Sequence, residues 1–306
     1  MIRTQLELFP EKSKKSKSII IRQSNSNYFR EWNSVMVSIA KNFSVSDRKY
    51  FAGMIDGDGT LHLHTRKNRP NSILKLGLEL RHDHAEPVLR LAELFDLTIR
   101  KIIRLNTKNT QPTLKIELSG IKGRLFLYAI HPYLLEEKDD AIEILKKLDC
   151  PGEYLQGEKQ FSFEYLAGYT DAEGCVHFNL QHQKTKIGNI SSNYKQYFQL
   201  TSNDNAHLQF IKQQLIDRGF DHFRKDYIDT HKNVKKREGR NPKNWKNTTH
   251  IHLGGTPTQL SEFYKNVEPF MLIKHKKDNM RHTITYDKII TSNKKFHEMK
   301  ARKRTV

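Results

Sequence analysis

FAGMIDGDG at Phe51–Gly59 and LAGYTDAEG at Leu166–Gly174 are two versions of one nonapeptide, and their reading decides the rest of the chain. Each has the pattern of the last turns of a helix that runs directly into two acidic residues and a glycine. A helix C-terminus already carries partial negative charge from its unpaired carbonyls, so carboxylates are poorly placed there. Finding them there twice points to a positive partner beside Asp58 and Glu173, and a metal ion is the simplest one. Ala52, Gly53, Ala167 and Gly168 are small, which lets two such helices approach closely along that stripe. Gly59 and Gly174 are expected to take a positive φ as the chain turns away into a strand.

Working outward, Ser46 is the expected N-cap of the first motif helix. TLHLHTRK (60–67) and SILKLGLELRH (72–82) alternate apolar and polar residues as half-buried strands do. AEPVLRLAELF has helical spacing, IRKIIRL and TLKIELSG read as strands, a helix spans roughly 122–130, and HPYLLEEKDDAIEILKKL ends in another helix near Cys150. After PGEYLQGEK the same order restarts, with FSFEYLAGY a helix, CVHFNLQHQ and YKQYFQLTS strands, AHLQFIKQQLIDRGF a helix, HIHLGG a strand and PTQLSEFYKNV a helix. Glu173 follows Asp58 at the spacing of one small α+β unit, so the chain reads as a duplicated domain rather than a solenoid. The expected organisation is a basic N-terminal segment (1–45), a first repeat (46–150), a linker (151–161), a second repeat (162–290) and a basic tail (291–306).

The 306 residues include 53 Lys and Arg against 34 Asp and Glu, a formal net charge of +19. An excess of that size suits a chain that neutralises a polyanion and releases its counterions. No apolar stretch of about 18 residues is present to span a bilayer, and the N-terminus has no apolar core of a secretory signal. The two cysteines, Cys150 and Cys175, form no CxxC pair, so a reducing interior is expected.

With both nonapeptides and the elements after them in view, the stretch from Ser46 to Tyr286 resembles the LAGLIDADG homing endonucleases, in their single-chain, two-motif form. The resemblance implies an α+β fold: two tandem αββαββα repeats, each with an antiparallel four-stranded sheet, together forming a DNA-binding saddle, with the motif helices packed at a pseudo-twofold interface. It implies a monomer that hydrolyses one phosphodiester in each strand of a long double-stranded DNA site by a metal-activated water, leaving short 3′ overhangs. The acids at the eighth motif positions, Asp58 and Glu173, would hold Mg²⁺, two or three divalent cations in all, with Gly57 and Ala172 beside them. Family members often carry a lysine in a proline–aromatic–aliphatic segment before the last helix of each half. Pro269-Phe270-Met271-Leu272-Ile273-Lys274 fits, which makes Lys274 a candidate for polarising the water or steadying the phosphate, although it also reads as a solvated helix-start lysine. The first half departs, because Pro132-Tyr133-Leu134-Leu135-Glu136-Glu137 puts Glu137 at the matching place. Unequal strand cutting, or lost cutting, is the expected consequence.

Asp56 and Asp171 read either as further ligands or as residues that cap local N–H groups, and capping is favoured. Base- and phosphate-contacting side chains are expected on the polar faces of the strands: His62, His64, Arg66, Lys75, Glu79 and Arg81 in the first repeat, and His177, Asn179, Gln181, Gln199 and Thr201 in the second. Lys235, Lys236, Arg237 and Arg240, in a stretch from His231 to Asn247 with seven Lys/Arg and one Glu, form a candidate phosphate-contacting arm. The histidine pairs 62/64, 82/84 and 250/252 belong to polar strand faces or turns rather than to zinc sites. Three other readings remain: an intron-RNA-binding maturase, a non-cleaving DNA binder of the same fold, and a two-carboxylate glycoside hydrolase, which the charge disfavours. An organelle interior or a prokaryotic cytoplasm is the expected setting, and an intein context is not, because no His-Asn splice junction closes the chain.

Overall fold

The computed structural model describes residues 42–64, 73–102, 112–150, 160–184, 190–222, 227–229 and 248–304. The N-terminal segment to residue 41, the linker from 151 to 159 and the arm with Lys235, Lys236, Arg237 and Arg240 lie outside the described residues, as does Arg66. The chain divides into two compact units, Met1–Tyr169 and Thr170–Val306, with the division inside the second motif helix.

The first unit runs α1 (Val45–Asp58), β1 (Gly59–His64), β2 (Ile73–Arg81), α2 (Glu86–Phe95), β3 (Arg100–Ile102), β4 (Thr113–Leu118), α3 (Gly120–Ile130) and α4 (Lys138–Lys147). Its sheet is antiparallel in the order β1-β2-β4-β3. The N-cap of α1 is Ser44, not Ser46, because Asp47 sits three residues on and closes a capping box. Asp47 N–H donates to Ser44 Oγ at 3.0 Å, and Ser44 N–H donates back to Asp47 Oδ2 at 3.2 Å. The alternation in β2 holds: Leu74, Leu76, Leu78 and Leu80 are all buried, and Ile116 and Leu118 of β4 join them. Phe43, Phe95 and Phe126 pack together beneath the helices at centroid distances of 5.3–5.7 Å, the kind of aromatic cluster that contributes beyond its buried area.

The second motif helix, α5 (Phe163–Glu173), leads into β5 (Gly174–Lys184), β6 (Ile190–Ser202), α6 (Asn205–Ile216), β7 (Tyr227–Asp229), β8 (Thr248–Leu253), α7 (Pro257–Val267) and α8 (Lys274–Arg304). Its sheet repeats the topology as β5-β6-β8-β7. Val176, Phe198, Leu200, Ile251 and Leu253 turn to the core, where Phe198 meets the ring of Phe263 on α7 at 4.8 Å. Each unit is therefore an αββαββα arrangement with one further helix. α8 runs 31 residues to Arg304 and takes in residues read from sequence as a basic tail. Among the described residues, no helix is long and apolar enough to cross a membrane.

Candidate functional site

Within the first unit, α1 and the start of α5 are in backbone contact at the motif glycines. A methyl group on Gly53 would meet the carbonyl oxygen of Tyr165 and come within 2.7 Å of the amide nitrogen of Tyr169. A methyl group on Gly168 would meet the carbonyl oxygen of Tyr50 and come within 3.0 Å of the amide nitrogen of Met54. The partners are equivalent in the two motifs, three residues before and one residue after the glycine, so this is a two-fold contact expressed in sequence. Gly59 and Gly174 also need their lack of a side chain, but not for the expected reason. Gly59 is extended, at φ −73°, and Gly174 has no positive φ. A Cβ on Gly59 would lie 2.5 Å from Ile55 Cα, and one on Gly174 would lie 2.7 Å from Thr170 Cα. Space in the preceding helical turn, rather than backbone handedness, selects glycine there.

The two acids of each motif are placed differently. Asp56 is buried, and its carboxylate ties α1 to the segment that opens α4. It accepts the N–H groups of Leu135 at 2.7 Å, Glu136 at 3.1 Å and Glu137 at 3.0 Å, and the Tyr165 hydroxyl at 2.7 Å. Burial raises its carboxyl above the usual range while those four donors pull it back down. Asp171 does the same work in the second unit, accepting N–H groups from Leu272 at 2.8 Å and Ile273 at 3.1 Å. Both carboxylates are engaged by backbone N–H groups some 80 to 100 residues away, not by the local N–H groups expected from sequence.

Asp58 and Glu173 close their helices two residues further on, Asp58 exposed and Glu173 half-buried, and neither last turn contains a basic residue. Gly57 and Ala172 beside them are half-buried. Carboxylates with adjacent backbone carbonyls are an all-oxygen donor set, which fits a hard cation such as Mg²⁺ and disfavours a soft one. Among the described residues, no group of three or more His, Cys, Asp or Glu is assembled as a metal cluster.

The aspartate bonds also fix the register between the two proline–aromatic segments. Leu135 matches Leu272 and Glu136 matches Ile273, so Glu137 stands where Lys274 stands. Lys274 is exposed at the start of α8. Glu137 is half-buried, and burial, Asp140 and Asp56 hold its carboxyl above the usual carboxylate range. In the second unit, buried Lys276 donates to the carbonyl oxygens of Thr170 and Asp171, both at 2.8 Å, and offsets the helix-end charge of α5.

The polar strand faces are where alternation placed them. His62, His64, Lys75 and Arg81 are exposed and Glu79 is half-buried, with Glu79 Oε1 accepting from the Thr113 hydroxyl at 2.9 Å. Sequence reading missed Arg100, Lys115 and Glu117 on the same face, where Glu117 pairs with Lys115 at 2.9 Å and with Arg100 at 3.5 Å. Nothing in a short run such as RKI signals its cross-strand neighbours. In the second unit, His177 stacks on Tyr197 at 4.9 Å, and Tyr197 leans on His252 at 5.7 Å. Gln199 and Thr201 continue that row on β6, and both reach His250 on β8. Asn179 and Gln181 are carried on β5, and their side chains lie outside the described residues.

No protein-family model matches the sequence, and no curated protein matches it. In structure the chain is similar in fold to LAGLIDADG homing endonucleases. The I-LtrWI LAGLIDADG homing endonuclease bound to target DNA matches with a TM-score of 0.48 and 13% identity, over 79% of this chain and 90% of that one. The LAGLIDADG meganuclease I-AabMI bound to uncleaved DNA matches at 0.47 and 14%, over 80% and 92%. The I-SmaMI LAGLIDADG homing endonuclease bound to cleaved DNA matches at 0.44 and 13%, over 81% and 90%. Likeness at this level assigns no chemistry to this chain's residues.

Proposed function

We propose that the protein is a site-specific double-strand DNA endonuclease that acts as a monomer with Mg²⁺. The observation that carries the reading is the division of labour inside each motif. In both, the sixth-position aspartate is committed to distant backbone N–H groups, while the eighth-position acid, exposed Asp58 or half-buried Glu173, closes a helix whose end already favours cations. Asp58 and Glu173 would hold the cations, with the carbonyls of Gly57 and Ala172 as neutral donors. Bound there, Mg²⁺ would supply an acidified water and charge neutralisation at the scissile phosphate. Lys274 would hold a phosphate oxygen or orient that water. The strand faces carrying His62, Lys75, Arg81, His177, Gln199 and Thr201 would lie against the duplex, and the +19 net charge would supply the salt-sensitive part of binding.

The test is cleavage of the uninterrupted DNA around the gene's own insertion point, with and without Mg²⁺. Expected is a double-strand cut that Asp58→Asn combined with Glu173→Gln abolishes; undiminished cutting by that variant overturns the reading. One observation favours a second reading, a non-cleaving binder of DNA or of its own intron RNA. It is Glu137, an acid at the place matched by Lys274. Tighter binding to precursor RNA than to any duplex, with no cleavage, would establish that alternative.

A further inference from the structure

On the polar face of the second sheet, Gln199, Thr201 and His250 form a closed triangle. Gln199 Nε2 lies 2.7 Å from His250 Nδ1 and 3.3 Å from Thr201 Oγ1, and Thr201 Oγ1 lies 3.1 Å from His250 Nδ1. The strand register builds it: Thr201 is directly opposite His250 and Gln199 is opposite His252, so Gln199 reaches its histidine along the diagonal. All three side chains are half-buried, with Phe198, Leu200 and Ile251 on the reverse face holding the backbone in place.

Gln199 can present either end of its amide to a partner, two donors at the nitrogen or an acceptor at the oxygen. A neutral His250 ring with its proton on Nε2 leaves Nδ1 as an acceptor. The amide then donates one hydrogen to Nδ1 and the other to Thr201 Oγ1, and no hydrogen bond among the described residues engages Oε1. The opposite orientation would set Oε1 against the Nδ1 lone pair, and that contact at 2.7 Å is repulsive while the ring is neutral. The histidine tautomer thus decides which end of the amide faces outward.

We propose that His250 is a positioning residue that turns Gln199 into a pure hydrogen-bond acceptor, so that Gln199 selects a base presenting an amino group in the major groove, adenine or cytosine, over guanine or thymine. Adenine N6 and cytosine N4 are the donors on that edge, whereas guanine O6 and N7 and thymine O4 are acceptors. An unconstrained glutamine would grip adenine with both ends of its amide; a pinned one loses that option and tolerates cytosine. The inference rests on the reading of the protein as a duplex-DNA binder.

The test is selection from a pool of randomised duplexes at a pH well above the ordinary imidazole range. The wild type, Gln199→Ala, His250→Ala and His250→Asn are compared. Gln199→Ala identifies the position being read, as the one whose preference disappears. There the wild type is expected to favour adenine or cytosine by about tenfold or more. His250→Ala should flatten that preference, and His250→Asn, whose Oδ1 restores an acceptor near the place of Nδ1, should recover it. If the alanine variant is unstable, His250→Phe keeps a ring without an acceptor and carries the same expectation. A preference for guanine or thymine at that position, or a preference untouched by both His250→Ala and His250→Phe, overturns the inference alone. Enrichment of no duplex by the wild type overturns the DNA-binding reading and the inference with it.

Discussion

Asp56 and Asp58 are the same residue type two positions apart, and the structure gives them opposite exposures, Asp56 buried under backbone N–H donors and Asp58 exposed at the helix end. Asp56→Asn keeps the shape but places an amide NH₂ where backbone N–H groups already point, leaving at least one buried donor unpaired. A loss of about 2–3 kcal/mol in unfolding free energy is expected by denaturant titration. Asp58→Asn should leave that titration within about 0.5 kcal/mol of wild type and remove Mg²⁺-dependent cutting. His131 adds a pH-dependent term. Its Nδ1–H donates to the Tyr128 carbonyl at 2.6 Å, and burial, with a smaller contribution from Lys138, drops its pKa from 6.5 to about 4. Below pH 6.5 the unfolded chain takes up a proton that the folded ring refuses until about pH 4. Stability is therefore complete above 6.5 and falls as pH drops through that window, by on the order of 3 kcal/mol in all. His131→Asn, which keeps a donor for Tyr128 and does not titrate, should remove that slope in pH-resolved unfolding. The placement of Asp58 and Glu173 at helix C-termini was legible in sequence, because each stands just before the glycine where a helical pattern gives way to alternation. The distant partners of Asp56 were not, because a carboxylate shows its need for donors but not where they come from.

At the scale of elements, the α1–α5 contact is set by backbone touching backbone, and that makes it unforgiving. A methyl group at Gly53 or Gly168 meets main-chain atoms that no rotamer change can move. Gly53→Ala and Gly168→Ala are each expected to destabilise by about 1–3 kcal/mol or more, measured by thermal or denaturant unfolding. The double variant should cost less than the sum of the two, since the helices need to separate only once. Small residues in both motifs announced this contact. Strand alternation announced β1, β2, β4, β5, β6 and β8 equally well, because a sheet with one buried face has a period of two. What escaped were elements with too few residues to show a period: β7, only Tyr227–Asp229, and the single 3₁₀ turns His131–Tyr133 and Glu268–Phe270. The extent of α8 escaped for a different reason. From Lys274 to Arg304 it has neither a proline nor a glycine, and its polar composition hides a helix inside what resembles a solvated tail.

For the whole molecule, duplication gives two units that share topology and the aspartate-to-backbone clamp yet differ in charge at one matched position. The clamp puts the Glu137 N–H group on Asp56, two residues from Asp58, and the same logic puts Lys274 beside the motif that ends in Glu173. A carboxylate at the first place repels a phosphate that an ammonium at the second attracts, and the field of Asp140 and Asp56 already loads the first with negative charge. If each unit serves one strand, the two strands are cut at different rates. A time course on supercoiled plasmid carrying the target should then pass through a nicked intermediate before linear product forms. Glu137→Lys reverses the sign of charge at that place and is expected to shorten the nicked phase severalfold, whereas Lys274→Glu should prolong it or stop the reaction there. Sequencing the ends of the nicked species assigns the slow strand. Simultaneous cutting of both strands by the wild type, or a nicked phase that neither substitution changes, would mean that the charge difference between the units has no part in the chemistry.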